Sequence, residues 1–140
     1  MQLTKWILHQ KFDEYNKLYF DVKLGSCQFS FLNKSNSAYG RYDRRNTTDG
    51  KEISRICLGR CITWNEERLR EILLHEMIHM YVETVEKKHF DGLFGHGWRF
   101  RRQCRRLKRD YGLRVRVHPH YERINKKVEP DYDYFTELFK

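Results

Sequence analysis

Leu73-Leu74-His75-Glu76-Met77-Ile78-His79 is the stretch that decides the fold and the chemistry of this chain. Residues i and i+4 lie one above the other on a helix face, so His75 and His79 can direct two imidazoles at one metal ion. Glu76 is offset by one residue, and its carboxylate can take a proton from a water that the metal activates. The stretch therefore predicts a metal centre on a helix, with Glu76 as the general base.

The helix that carries the two histidines is expected to run from about residue 66 to residue 86 and to lie at the centre of the domain. Asn65, or Thr63 together with Glu66, is a candidate N-cap. Apolar residues occupy more than one face, which is typical of a helix buried on most sides. Three ionisable side chains on such a helix are costly to bury without a partner, and a metal ion supplies one.

A third metal ligand has to come from elsewhere, since catalytic zinc sites use three protein ligands and leave the fourth position to water. Glu83, Glu86 and Asp91 are possible ligands, but Glu83 and Glu86 lie on a helix that leads away from the metal. His96 is better placed, because it lies between two glycines at the predicted start of a helix that can fold back antiparallel to the first. The predicted Zn²⁺ ligands are therefore His75, His79 and His96.

The rest of the chain predicts an α+β domain built on a small antiparallel sheet. Apolar residues at helical spacing predict an N-terminal helix over about residues 4–20: Leu8, Phe12, Tyr15 and Tyr19. Strands are expected over residues 28–32, 39–43 and 52–58, and the last two form a hairpin. The motif helix is expected to pack against a second, basic helix that ends near Gly112. A short final strand or extended segment at residues 113–117 and a short helix at residues 131–139 follow.

The length of 140 residues fits one domain, expected to span residues 1–140 with residues 121–140 as a C-terminal extension. No apolar run approaches the ~20 residues of a membrane helix. The N terminus lacks the apolar region of a signal peptide. We therefore expect a cytoplasmic protein without a membrane partner, associated with the nucleoid in a bacterium or nuclear in a eukaryote. We also expect a monomer, and reduced cysteines.

The positive charge of the chain is concentrated in one segment. The net charge is +9, but residues 96–127 contain twelve Lys or Arg against only Asp110 and Glu122, and the remainder is close to neutral. This asymmetry indicates a polyanionic partner, and nucleic acid is the leading candidate, with DNA, single-stranded DNA included, favoured. The predicted contacts on the second helix are Arg99, Arg101, Arg102, Arg105, Arg106, Lys108 and Arg109.

Several residues have a second, more ordinary explanation. A run of charges is also typical of a solvated helix face. Trp98 can stack on an exposed base, although its more common place is the core. Three residues beyond the basic helix can stabilise an oxyanion or simply lie on the surface: His118, His120 and Tyr121. Other basic residues extend the positive surface or face solvent: Arg114, Arg116 and Arg123, with Arg41, Arg44 and Arg45 in the hairpin.

The two histidine motifs together resemble those of the SprT-like family. They are residues 73–79 and Gly95-His96-Gly97-x-x-Phe100, with weaker likeness at residues 12–24 and at Gly40-x-Tyr42. The likeness covers roughly residues 8–121. It implies a minimal zincin-like fold, zinc bound by the three histidines, a catalytic Glu76, and cleavage of proteins bound or crosslinked to DNA in DNA repair. Many relatives carry a cysteine-rich zinc ribbon after this domain, and none is expected here.

Two functions of different classes fit these observations. The first is a zinc-dependent endopeptidase of the HExxH type, which acts on DNA-associated or DNA-crosslinked proteins with a water activated by zinc and Glu76. The alternative is a non-catalytic, zinc-containing nucleic-acid-binding module, whose metal is closed by a fourth protein ligand such as Asp91 or Glu83. Hydrolysis of a small substrate is a third hypothesis.

Overall fold

A computed structural model describes residues 1–124 of the chain and has the α+β architecture that the sequence predicts. In chain order its main elements are α1 (Lys5–Tyr19), β1 (Cys27–Leu32), β2 (Gly40–Asn46), β3 (Glu52–Gly59), α2 (Glu66–Met80) and α3 (Trp98–Tyr111). A π-helical turn (Tyr81–Val85) continues α2, and a 3₁₀ turn (Leu93–Gly95) precedes α3. The helix predicted at residues 131–139 lies outside the described residues.

Local sequence signals set the helix ends. The Thr4 hydroxyl accepts a hydrogen bond from the Ile7 amide at 3.1 Å, and the Asn65 carboxamide oxygen accepts one from the Arg68 amide at 2.8 Å. These bonds satisfy amide groups that have no partner within the first helical turn. Asn65, rather than Thr63, therefore caps α2. Gly112 ends α3 in the left-handed conformation with φ of 68°, as predicted.

The sheet is mixed, so the expectation of a wholly antiparallel sheet was wrong. The strand order is β1-β3-β2, with β2 antiparallel to β3 as predicted but β1 parallel to β3. The strand with the longest buried run takes the centre: Ile56, Cys57 and Leu58 of β3 are all buried. β2 carries arginines and lies at one edge, a position that polar strands tolerate. The chain therefore crosses β3 between β1 and β2.

The buried helix α2 lies across the sheet and brings the motif next to the edge strand β2. Ten of its fifteen residues are buried, on more than one face, which confirms the prediction of a central helix. Gly40 of β2 makes the close approach possible. A Cβ atom at this position would lie 2.9 Å from the Glu76 Oε2 and 3.0 Å from the Ile72 Cγ2. The motif is therefore at the open edge of the sheet.

The segment after α3 is extended and is not a strand. Val115 is buried in the core, and Arg116 is bound to Glu71 of α2. An isolated antiparallel bridge joins Arg123, near the end of the described residues, to Ile62, which precedes α2. Among residues 1–124, none of the helices has the length and apolar character needed to cross a membrane.

Candidate metal centre

Three histidines from two elements converge at the open end of α2. His75 and His79 come from α2, and His96 lies two residues before α3. One ligand atom from each lies within 4.8 Å of the other two, and the Nε2 atoms of His75 and His96 are 3.2 Å apart. Two ligands at about 2.0–2.1 Å from a tetrahedral zinc ion lie roughly 3.3 Å apart. The three predicted ligands are thus brought together with a spacing that fits zinc.

The protonation of these imidazoles also fits a metal. Burial lowers the pKa of His75 to about 4 and that of His79 to about 3, and it lowers the pKa of His96 as well. All three rings are therefore neutral at pH 7, which is the form that binds a metal. Phe100 packs against all three rings, with centroid distances of 4.6–4.9 Å, and supplies an apolar floor.

His96 owes its position to Asp91 and two glycines. The buried Asp91 carboxylate accepts hydrogen bonds from the amides of Arg99 (3.2 Å) and Phe100 (2.7 Å), so it caps the first turn of α3. Gly97 packs on Asp91 so closely that a Cβ atom would lie 2.5 Å from its carboxylate. Gly95 has φ of 74° and would place a Cβ atom 3.2 Å from the His79 ring. The Gly-His-Gly sequence is therefore a packing requirement.

A buried ion pair, which the sequence alone did not reveal, orients His75. The His75 Nδ1 lies 3.1 Å from the carbonyl oxygen of Arg116, to which its N–H can donate. That leaves Nε2 with a free lone pair for the metal. Glu71 holds Arg116 through three hydrogen bonds of 2.8–3.1 Å, one from the backbone amide and two from the guanidinium group. A carboxylate one turn before His75 on an apolar helix was the only sequence signal.

Glu76 is buried beside the histidines without joining them. Its Oε2 is 4.0 Å from the His75 Nε2, and the side chain is 6% exposed. Burial raises the pKa of Glu76 to about 8. A carboxylate whose pKa lies near neutral pH can both accept and release a proton, as a general base and acid must.

The carboxylates considered as further ligands have other partners. Glu83 lies 3.6 Å from the Arg44 guanidinium, and Glu86 forms ion pairs of 3.1 and 3.2 Å with Arg99 and Arg102. Asp91 caps α3. Within residues 1–124, the group that can hold a metal consists of the three histidines. A fourth protein ligand, which a closed structural site needs, is not found there.

Two adjoining cavities lie at the three histidines His75, His79 and His96, which together are called the histidine triad. The larger, about 520 Å³, lies between β2 and the loop before α3 and is lined by the three histidines and Glu76. The smaller, about 330 Å³, shares His75 and Glu76 with it and is also lined by His118. The His118 ring lies 5.2 Å from the His96 ring. His118 is thus placed at the cleft.

The other oxyanion candidates have different positions. The Tyr121 hydroxyl hydrogen-bonds to Glu71, and its backbone amide and carbonyl bond to the Tyr39 hydroxyl. It lines neither cavity, so it stabilises the Glu71 pair. His120 is exposed and also lines neither cavity.

The basic helix is only partly available to a partner. Arg99 and Arg102 bind Glu86, Arg106 donates to the Tyr19 carbonyl at 2.7 Å, and Arg109 pairs with Asp110. Arg101 is exposed although its Nε donates to the His96 carbonyl, and two further exposed basic residues are Arg105 and Lys108.

Trp98 is at the surface, so the expectation that it belongs to the core was wrong. Its side chain is 57% exposed, and the guanidinium groups of Arg99 and Arg102 lie 4.4 and 5.0 Å from its ring. Trp98 is the first residue of α3 and lies two positions before the buried Phe100, so helix geometry places the two side chains on different faces.

The comparison with known protein families agrees with this geometry. The model of the SprT-like family matches residues 8–123, which is most of the 140-residue chain. The match contains the histidine triad, Glu76 and the Glu71–Arg116 pair. No curated protein sequence matches the chain. The chain belongs to the SprT-like family.

Proposed function

We propose that this member of the SprT-like family is a zinc-dependent endopeptidase that acts on DNA-associated or DNA-crosslinked proteins. One observation carries the proposal: three neutral histidines converge beside a buried carboxylate at the floor of an open cleft. The family is one of metallopeptidase-type domains, which supports hydrolysis of a peptide bond.

Each residue of the site has a role in this reaction. A zinc ion, when bound, polarises the peptide carbonyl and lowers the pKa of a water molecule. His75, His79 and His96 would hold it, and Glu71 and Arg116 keep His75 in the required tautomer. Glu76 accepts the proton of the attacking water and delivers it to the amine that leaves.

The edge strand β2 supports a polypeptide substrate. Gly40, Arg41 and Tyr42 line the larger cavity, and β2 pairs with β3 on one side. In the described part of the chain, no strand pairs with its other side. An extended peptide can add to such an edge through main-chain hydrogen bonds. On the other side of the triad, His118 can stabilise the negative charge that develops on the carbonyl oxygen.

The link to DNA rests on α3. Exposed Arg101, Arg105 and Lys108 can contact phosphates, and the exposed Trp98 can stack on an unpaired base. The same helix begins two residues after His96, so a nucleic acid bound there would lie next to the cleft. These features support a substrate that is itself associated with DNA. They equally favour the second candidate, a nucleic-acid-binding module without catalysis.

The test is cleavage of casein and of a DNA-bound protein by the zinc-loaded chain, with and without single-stranded DNA. Wild type is compared with Glu76→Gln, which keeps the shape of the side chain and removes its basicity. We expect wild type to cleave and Glu76→Gln not to cleave, with equal zinc content in the two proteins. Cleavage by Glu76→Gln at the wild-type rate would refute the mechanism. DNA binding without cleavage by either protein would establish the non-catalytic module instead.

A further inference from the structure

Three of the most exposed large apolar side chains belong to one short loop beside the cleft. Phe90, Leu93 and Phe94 are 84%, 79% and 81% exposed and lie between α2 and α3. Phe94 also lines the larger cavity together with the histidine triad. Clusters of exposed apolar residues with polar neighbours are typical of interaction sites.

The Phe94 side chain is 81% exposed, so it buries little surface in the core. Its φ and ψ of 54° and 28° are left-handed, a conformation that residues with bulky side chains rarely adopt. The neighbours impose it, because Asp91 and Gly95 are packed against α3 and His79. His89 further ties the loop to β2 through a 2.9 Å contact with Arg44. A strained and exposed aromatic residue on a firmly held loop indicates a role outside folding.

The occupant that fits this loop is a polypeptide. The edge strand β2, on which an extended peptide can pair, lines the same cavity as Phe94. Side chains of such a peptide alternate, so one set would point towards the loop. Nucleic acid fits less well, since Leu93 has no ring on which a base can stack.

We propose that Phe90, Leu93 and Phe94 form an apolar rim that selects unfolded polypeptide segments with a large apolar side chain near the scissile bond. This inference rests on the proposed peptidase function and names its substrate class. The rim would favour segments that native proteins bury, so unfolded or damaged proteins become the substrates and folded ones are spared.

The test measures peptide binding in the Glu76→Gln background, where no cleavage interferes. Two fluorescent peptides of equal charge and length are compared, one with Leu and Phe and the other with Ser and Asn at the same positions. We expect the Glu76→Gln protein with an unchanged rim to bind the apolar peptide about tenfold more tightly than the polar one. A further Phe94→Asn or Leu93→Ser substitution should remove most of this preference. Trp6→Gln, which removes an exposed tryptophan from α1, should leave it unchanged.

Folding and the competing partner are controlled in the same experiment. Asparagine tolerates a left-handed backbone, so Phe94→Asn should melt at or above the wild-type temperature; if it does not fold, Leu93→Ser carries the test. Equal binding of both peptides by the Glu76→Gln protein with an intact rim overturns the proposal. A single-stranded oligonucleotide is titrated against the same proteins, and rim substitutions that weaken only its binding also overturn the proposal. Absence of cleavage by the wild-type protein would refute the proposed peptidase function. The binding preference for the apolar peptide would still test the rim, because that assay does not depend on cleavage.

Discussion

Replacement of Glu71 by Gln tests whether the buried ion pair orients the metal ligand His75. The carboxylate of Glu71 is 6% exposed and accepts three hydrogen bonds from Arg116, whose carbonyl holds the His75 ring. Loss of one partner of a buried pair costs about 3–5 kcal/mol. The Arg116 side chain is 33% exposed. Water can therefore hydrate part of the guanidinium group, and glutamine keeps one acceptor oxygen. We expect Glu71→Gln to lower the free energy of unfolding by about 2 kcal/mol.

The same substitution should weaken zinc binding. Removal of an outer partner of a metal-bound histidine typically costs about 10–100-fold in affinity. Competition with a chromogenic chelator measures this, on protein shown by circular dichroism to be folded. Glu67→Gln is the matched control, since it removes the same charge from an exposed position one turn earlier on α2. An unchanged zinc affinity in Glu71→Gln would refute the positioning role, even if the stability falls.

The pH dependence of stability gives a second readout. Burial alone would raise the pKa of Glu71, but hydrogen bonds from Arg116 and Tyr121 outweigh it, and the folded pKa lies below the usual 4.5. As the pH falls, Glu71 therefore becomes protonated in the unfolded chain at a higher pH than in the folded protein. The stabilisation is present above pH 4.5 and is lost as the pH falls through the folded pKa. The difference in unfolding free energy between wild type and Glu71→Gln should therefore narrow in acid. Urea unfolding of the zinc-free proteins at several pH values measures this difference. A difference that stays constant with pH would contradict the stabilising role of the ionised Glu71.

Three other substitutions probe separate parts of the site. Gly40→Ala places a methyl group 2.9 Å from the Glu76 carboxylate, so unfolding free energy should fall by about 1–3 kcal/mol and cleavage should slow; an unchanged melting temperature would show that β2 can shift. Asp91→Asn weakens the cap of α3, and zinc affinity should fall along with about 1 kcal/mol of stability; a loss of stability alone would separate the cap from His96. Trp98→Ala should weaken binding of single-stranded DNA by about 1–3 kcal/mol with little effect on melting, and equal DNA affinity would exclude stacking.

Local signals made much of this molecule predictable. The caps at Thr4, Asn65 and Gly112 depend on neighbouring residues, and so do the helix ends they set. The spacing of the motif placed two histidines on one face of α2. The two glycines around His96 indicated the start of a second helix, and the structure brings His96 to the other two histidines.

Contacts between distant parts of the chain were not predictable. The parallel pairing of β1 with β3 depends on which strand is central, and alternation within one strand does not specify its neighbour. Glu71 and Arg116 are 45 residues apart in sequence. Such features need the three-dimensional structure.

Anomalous diffraction at the zinc absorption edge, on crystals of the zinc-loaded chain, tests the central claim most directly. We predict one zinc ion with a nitrogen of His75, His79 and His96 at about 2.0–2.1 Å and no fourth protein ligand. Glu76 should lie close to the ion without binding it. A zinc ion closed by Asp91 or Glu83, or bound away from the three histidines, would contradict the account.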